Sequence, residues 1–158
     1  MDYEIKNIKP LTEHHNLAAE WSLNAWQHLF PKDTLQTYFD IFTQSGEYEG
    51  RLSEIFVAIN NKNELLGLSG LLDDDELPDS KEPGPWLAAV YVTPHARRYG
   101  IGSALVKHAT DRAFELGYSE LFLFTEDMQN WYSKTGWNEL RTTTIQHETV
   151  HVMRLALR

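Results

Sequence analysis

Three groups of residues have types and spacing that could do chemistry. The first is Arg97-Arg98-Tyr99-Gly100-Ile101-Gly102-Ser103, which lies between an apolar run and a helical pattern. The first turn of a helix leaves backbone N–H groups unpaired and carries partial positive charge. Phosphate is the natural ligand there. Glycine permits unusual backbone angles and close approach of a ligand, and the Arg97 and Arg98 guanidiniums can add charged hydrogen bonds. Two common glycine motifs are not met. The Gly-Lys-Ser/Thr ending of a nucleotide loop is absent, and Leu105 stands where a dinucleotide fingerprint needs a third small residue. On these residues alone, a plain helix start is as good a reading as a phosphate site.

The second group is Trp131-Tyr132-Ser133-Lys134-Thr135-Gly136-Trp137. A phenol, with pKa about 10, keeps its proton at neutral pH and can donate that proton or a hydrogen bond. The competing reading is a core tyrosine on a short amphipathic helix. The third group is the acids Asp73, Asp74, Glu126 and Asp127, each at a strand end. Any of them could take a proton directly or through water, but each reads more readily as a solvated loop acid and ordered water can suffice, so no single base is assigned. The pattern His147-Glu148-Thr149-Val150-His151 matches a zinc motif only in letters. That motif needs helical spacing to bring both imidazoles to one face. Here the surrounding residues read as strand, where positions four apart lie about 13 Å from each other, so no metal is expected.

The elements that must position these groups follow from periodicity. Tyr3, Ile5 and Ile8 suggest a first strand ending at Pro10. Thr12 or Glu13 to about His28 reads as a helix with an apolar side of Leu17, Ala18, Trp21, Leu23, Ala25 and Trp26. Pro31 breaks it, and Asp33 or Thr34 can cap a second helix through Tyr38, Phe39, Ile41 and Phe42. Gly46 and Gly50 mark a loop. Glu54–Ile59 and Leu65–Leu72 pair across an Asn-rich turn, and a long acidic loop runs from Asp73 to Pro85. Trp86–Val92 is a nearly continuous apolar run, as in a strand covered on both faces. Gly100 to Leu116 is helical, with Gly117 as its stop. Leu121–Phe124 is a short strand, Met128–Thr135 a short helix, and Trp137–Thr144 and Thr149–Leu157 a final strand pair. The order is β-α-α-β-β-β-α-β-α-β-β. The Trp86 to Phe124 crossover should be right-handed with parallel strands, beside antiparallel neighbours.

Composition narrows the classes. The chain of 158 residues carries a formal charge of −9, with 42% hydrophobic and 23% charged residues, which fits one ordinary globular domain over residues 1–158. There is no cysteine, so thiol catalysis, disulfides and Cys-type zinc sites are excluded. No basic stripe suits nucleic acid. No apolar run approaches a membrane span, and the N-terminus does not read as a signal peptide, so a cytoplasmic location is expected. The acidity fits a cationic partner through its field, or plain solubility.

Val90-Tyr91-Val92-Thr93-Pro94 followed by Arg97-Arg98-Tyr99-Gly100-Ile101-Gly102 resembles the first motif of the GNAT acetyltransferases, an Arg/Gln-x-x-Gly-x-Gly/Ala loop behind an apolar strand. Tyr132 to Trp137 resembles the family's Tyr-x-x-x-Gly-Phe/Trp motif. The resemblance is specific over Trp86 to Trp137. It implies a mixed α/β (α+β) fold, a largely antiparallel twisted sheet with a central parallel pair. It also implies that acetyl-CoA is the co-substrate, its pyrophosphate held by the loop Arg97, Arg98, Tyr99, Gly100, Ile101, Gly102 and Ser103. Its pantetheine arm would pair with the backbone of Val90, Tyr91 and Val92, with the Val92 amide a candidate to polarise the thioester. Tyr132 would protonate the departing thiolate. Thr125 stands where many members carry Asn, and the strand Trp86–Val92 lacks the carboxylate that some members use as a base. The acceptor is then an amine, cationic if the charge is a guide, in a pocket walled by the first two helices near His14, His15, Trp21, Trp26, His28, Tyr38 and Phe39, with the tryptophans and Phe39 expected in the core. The alternatives are a non-catalytic acyl-CoA-binding regulatory module and a nucleotide-binding domain. Oligomeric state stays open, a homodimer being the commonest symmetric form.

Overall fold

The computed structural model describes every residue of the chain except Glu49. The elements in order are β1 (Tyr3–Asn7), α1 (His15–Trp26), α2 (Leu35–Thr43), β2 (Gly46–Tyr48), β3 (Arg51–Asn60), β4 (Leu65–Leu72), β5 (Trp86–Val92), α3 (Ile101–Glu115), β6 (Glu120–Thr125), α4 (Gln129–Ser133), β7 (Asn138–Ile145) and β8 (Glu148–Ala156). The described strands form one sheet in the order β1-β3-β4-β5-β6-β8-β7, with β2 beside the first residues of β3. Every pairing is antiparallel except β5 with β6. This is the mixed, largely antiparallel sheet expected. Two details differ. The segment read as a loop holds the short strand β2, because Ser45 bonds both backbone groups of Ile55 and steers the chain alongside β3. The first helix ends at Trp26, two residues short of the expected end near His28. Of the two cap candidates, Thr34 caps the second helix through a reciprocal bond with Thr37.

Helices cover the sheet on both faces, and the alternation of β3 shows how. Ile55, Val57 and Ile59 pack with Ala18, Ala19, Tyr38 and Phe42 of α1 and α2. Phe56 lies on the other face, in a core shared with Val106, Ala109 and Ala113 of α3 and Tyr132 of α4. Strand side chains alternate between faces, so one apolar stretch serves two cores. One stretch is broken from this regularity. The β4–β5 register slips by one residue between Leu68 and Gly70, and Ala89 on the opposite strand has φ of 57°. A non-glycine residue rarely adopts that angle, and such a bulge bends and twists its strand. Before it Trp86, Leu87 and Ala88 are buried; after it Val90, Tyr91 and Val92 are half-buried. Only Trp86 and Phe122 pair in register between β5 and β6. The two parallel strands therefore part company toward their C-terminal ends.

Candidate active site

A cavity of about 810 Å³ occupies the opening between β5 and β6 and continues to the α1–α2 face. At one end stands the glycine loop. Gly100 has φ of 77° and Arg98 φ of 70°, so the chain makes two left-handed steps before α3 begins. The first intrahelical bond of α3 runs from the Ala104 N–H to the Gly100 carbonyl. Among the described residues, the amides of Arg98 through Ser103 have no acceptor, and Gly100 offers no side-chain cap. Successive unpaired amides at a helix start make an anion-binding concavity. Gly102 is helical, and a Cβ there would meet nothing closer than Val92 Cγ2 at 3.6 Å and Trp131 Cζ2 at 3.9 Å. The protein itself has room for a methyl group. A helical glycine costs about 0.5–1 kcal/mol relative to alanine, and its bare Cα keeps that much of the cavity wall open. These features fit a pyrophosphate-bearing ligand.

Of the residues singled out from sequence, Val90, Tyr91, Val92, Arg97, Arg98, Gly100, Ile101, Gly102, Ser103 and Tyr132 all line this cavity. Tyr99 does not, and its ring is 56% exposed. The Ile101 side chain packs in the core with Ala96 and Leu105, leaving its backbone to face a ligand. Arg97 is engaged: its Nε–H donates to the Val92 carbonyl at 2.9 Å, and its guanidinium sits over the Tyr91 ring at 5.8 Å. Arg98 and Ser103 are exposed. The Thr93 N–H donates to the Leu66 carbonyl, so ladder alternation turns the Val92 amide away from β4, toward the opening.

Tyr132 comes from α4 and is buried between the Trp131 and Trp137 rings. Its hydroxyl has no hydrogen-bond partner among the described residues. Burial pushes its pKa well above the ordinary phenol value, so it carries its proton throughout the working range.

The far end is acidic; the acidic loop was evident in the sequence, but its meeting with Asp33 and Tyr38 was not. Tyr38 donates its hydroxyl to Asp33 Oδ2 at 3.0 Å, and burial, with Asp33, Asp75 and Glu76 nearby, holds the phenol protonated. Asp75 has its carboxyl pushed well above the usual range, first by burial and then by Glu76 and Asp74. Glu76 is raised for similar reasons, with Arg51 pulling the other way. Asp33, Arg51, Asp75 and Glu76 all line the cavity, as do the four expected acids Asp73, Asp74, Glu126 and Asp127. Asp73 accepts the Leu52 N–H at 2.8 Å, and Asp74 accepts the Glu76 N–H at 2.9 Å. Of the expected pocket aromatics and histidines, Trp26 and Tyr38 line the cavity, so Trp26 is not purely a core residue. Trp21 packs on Tyr91, and Phe39 joins the α2 core. His14 and His15 serve structure, bonded to Asn63 and to the Ile8 carbonyl. No sequence pattern brings Asp33, Tyr38 and Asp75 together; only the Asp33–Tyr38 spacing across a helix start is local enough to suggest contact.

The zinc-like pattern is not helical. His147 sits in the β7–β8 turn with φ of 68°, while His151 lies on β8 and bonds Glu139.

Comparisons agree with this architecture. A sequence model described as the Acetyltransferase (GNAT) family matches residues 14–137. The chain therefore belongs to the GNAT acetyltransferase family. Among solved structures it is similar to an acetyltransferase of the GNAT family from Staphylococcus aureus Mu50, with TM-score 0.74 and 17% identity over 99% of this chain and 100% of that one. A spermidine N-acetyltransferase chimaera from Vibrio cholerae and hSSAT superposes with TM-score 0.72 and 14% identity, over 99% of this chain and 96% of that one. N-acetylglutamate synthase from Neisseria gonorrhoeae, complexed with coenzyme A and N-acetyl-glutamate, gives TM-score 0.68 and 16% identity over 100% of this chain and 36% of that one. At these identities the likeness is one of fold. Among curated protein sequences none matches this chain.

Proposed function

We propose that the protein transfers an acetyl group from acetyl-CoA to a primary amine, with both substrates bound together. The observation that carries this reading is the run of unpaired amides from Arg98 to Ser103 at the mouth of a cavity that also reaches the free Tyr132 hydroxyl. The amides and the α3 dipole would hold the pyrophosphate, with Arg98 adding charge. The pantetheine arm would lie along β5 past its bulge, where Val90 to Val92 have lost β6 as a neighbour, and would act as an added strand. The fold neighbour solved with coenzyme A supports such a ligand.

The chemistry follows from these positions. The amine nitrogen attacks the thioester carbonyl, whose developing oxyanion the Val92 amide can stabilise. The C–S bond breaks with its electrons on sulfur, and Tyr132 gives that sulfur a proton. A raised phenol pKa makes Tyr132 a reluctant acid in isolation. It also guarantees that the proton is present, and the site needs a donor rather than a phenolate. Asp33 at the far end favours a cationic acceptor by charge, and such a cation would draw Asp75 and Glu76 toward their charged forms, with Trp26 and Tyr38 as an aromatic wall.

The test is thiol release from acetyl-CoA across a panel of cationic, neutral and acidic amines, with wild type and Tyr132→Phe in parallel. The reading predicts turnover of cationic amines, reduced in the variant. Binding of acetyl-CoA without release on any amine would favour an acyl-CoA-binding regulatory module.

A further inference from the structure

The amine must shed a proton before it attacks, because less than about 1% of an alkylamine is neutral at pH 7. We infer that Glu126 takes that proton and that His28 holds Glu126 in place to do so. The inference rests on the transferase reading above.

Position separates Glu126 from the other cavity acids. β5 and β6 run parallel with Trp86 opposite Phe122. Counting along both strands, Glu126 falls level with Val90, beside the open stretch of β5 where the thioester is proposed to lie. It precedes Tyr132 by one short turn into α4, and both line the cavity. The acidic loop sits at the opposite end of the sheet: Leu72, just before Asp73, pairs with Trp86 itself. Those acids are also engaged, Asp33 with Tyr38, Asp73 with the Leu52 amide and Asp74 with the Glu76 amide. Asp75 is held toward its neutral form. Asp127 is exposed.

Glu126 is also fixed. The His28 Nε2–H donates to Glu126 Oε1 at 2.6 Å, joining the α1–α2 connection to the end of β6 across 98 residues of chain. The two side chains are 48% and 31% exposed, so the second carboxylate oxygen can meet the cavity while the imidazole leads outward to solvent. A base in hydrogen-bond reach, oriented by a third group, is the arrangement proton abstraction needs. The step balances. Glu126 removes one proton from the ammonium, and the freed electron pair forms the C–N bond. The C–S bond breaks, and Tyr132 protonates the sulfur. The second nitrogen proton, lost as the amide forms, restores the phenol through water, and Glu126 returns its own proton to solvent. Glu126 is thus the catalytic residue and His28 a positioning residue.

The experiment uses a matched pair of probe amines, benzylamine and aniline, with acetyl-CoA at saturation. Benzylamine is protonated at neutral pH and needs a base; aniline is already neutral. Glu126→Gln keeps shape and hydrogen bonding. It should lower kcat/KM for benzylamine by about 10²-fold, leave aniline within a few-fold, and leave acetyl-CoA affinity and melting temperature unchanged. His28→Ala should lower benzylamine turnover about tenfold by loosening the base, and His28→Gln, which still offers an N–H donor, should restore most of it. Equal losses for both amines, or no loss in Glu126→Gln, would overturn the inference while leaving the transferase reading intact. Failure of the wild type to bind acetyl-CoA would overturn both.

Discussion

The two ends of the cavity are built from different materials. The glycine-loop end is made of backbone: left-handed angles at Arg98 and Gly100, the unpaired amides of Arg98 to Ser103, and a bulged strand. The acidic end is made of side chains that meet across distant elements: Asp33 and Tyr38 near the start of α2, Asp75 and Glu76 from a long loop, Arg51 from the start of β3. A backbone site can be specified by a few contiguous residues, because local angles create it. A side-chain site exists only after the chain has folded. That contrast would suit the proposed reaction, in which one substrate is a pyrophosphate carrier and the other is set by pocket chemistry, since sites rather than folds carry specificity.

Substitutions at single residues separate the two ends. The largest effect should come from the junction between the two ends. Tyr132→Phe should reduce kcat by about 10²-fold or more while leaving the acetyl-CoA dissociation constant unchanged, since the hydroxyl bonds nothing among the described residues; steady-state kinetics beside calorimetry checks this. Next is Gly102→Val. Its side chain would project where a phosphate approaches, and keeping the ligand off the amides should cost about 3 kcal/mol, near 10²-fold in affinity. A Cβ at Gly102 meets only ordinary contacts, and the melting temperature, followed beside the titration, tells whether the two further methyls are accommodated. Arg98→Ala should weaken acetyl-CoA about tenfold and flatten the salt dependence of binding.

The smallest effect belongs to the acidic end and concerns stability. The folded Asp75 carboxyl has a raised pKa, so folding favours its neutral form. Its ionisation destabilises the fold as pH rises from the unfolded value of about 3.9 toward the folded one, and the penalty is complete above that. Asp75→Asn should therefore raise the melting temperature at pH 7 by about 2–4 °C, the shift that about 1 kcal/mol makes in a domain of this size. The gain should vanish as pH falls to about 4. Thermal scans across pH would check both. Weaker binding of cationic amines in the same variant would tie the stability penalty to acceptor recognition.

Legibility in the sequence followed the same division. The β5 run, the α3 helix with Gly117 behind it, and the Tyr132 helix were readable because each is a local pattern of period or glycine placement. β2 was not, since three residues held by Ser45 leave no periodicity to detect. The full-length helix expected to His28 stopped at Trp26, which frees His28 to reach Glu126. That partnership, like those of Asp33, Tyr38 and Asp75, depends on where distant elements come to rest. Arg97, expected at the phosphate from its place in the motif, lines the cavity and also bonds the Val92 carbonyl through its Nε–H, a contact that no sequence pattern specifies.

The most direct test is calorimetric titration of acetyl-CoA into the wild-type chain and into Gly102→Val. The account predicts one site per chain for the wild type, and affinity reduced about 10²-fold in a variant that still unfolds cooperatively. No binding to the wild type, or equal binding to both, would contradict it.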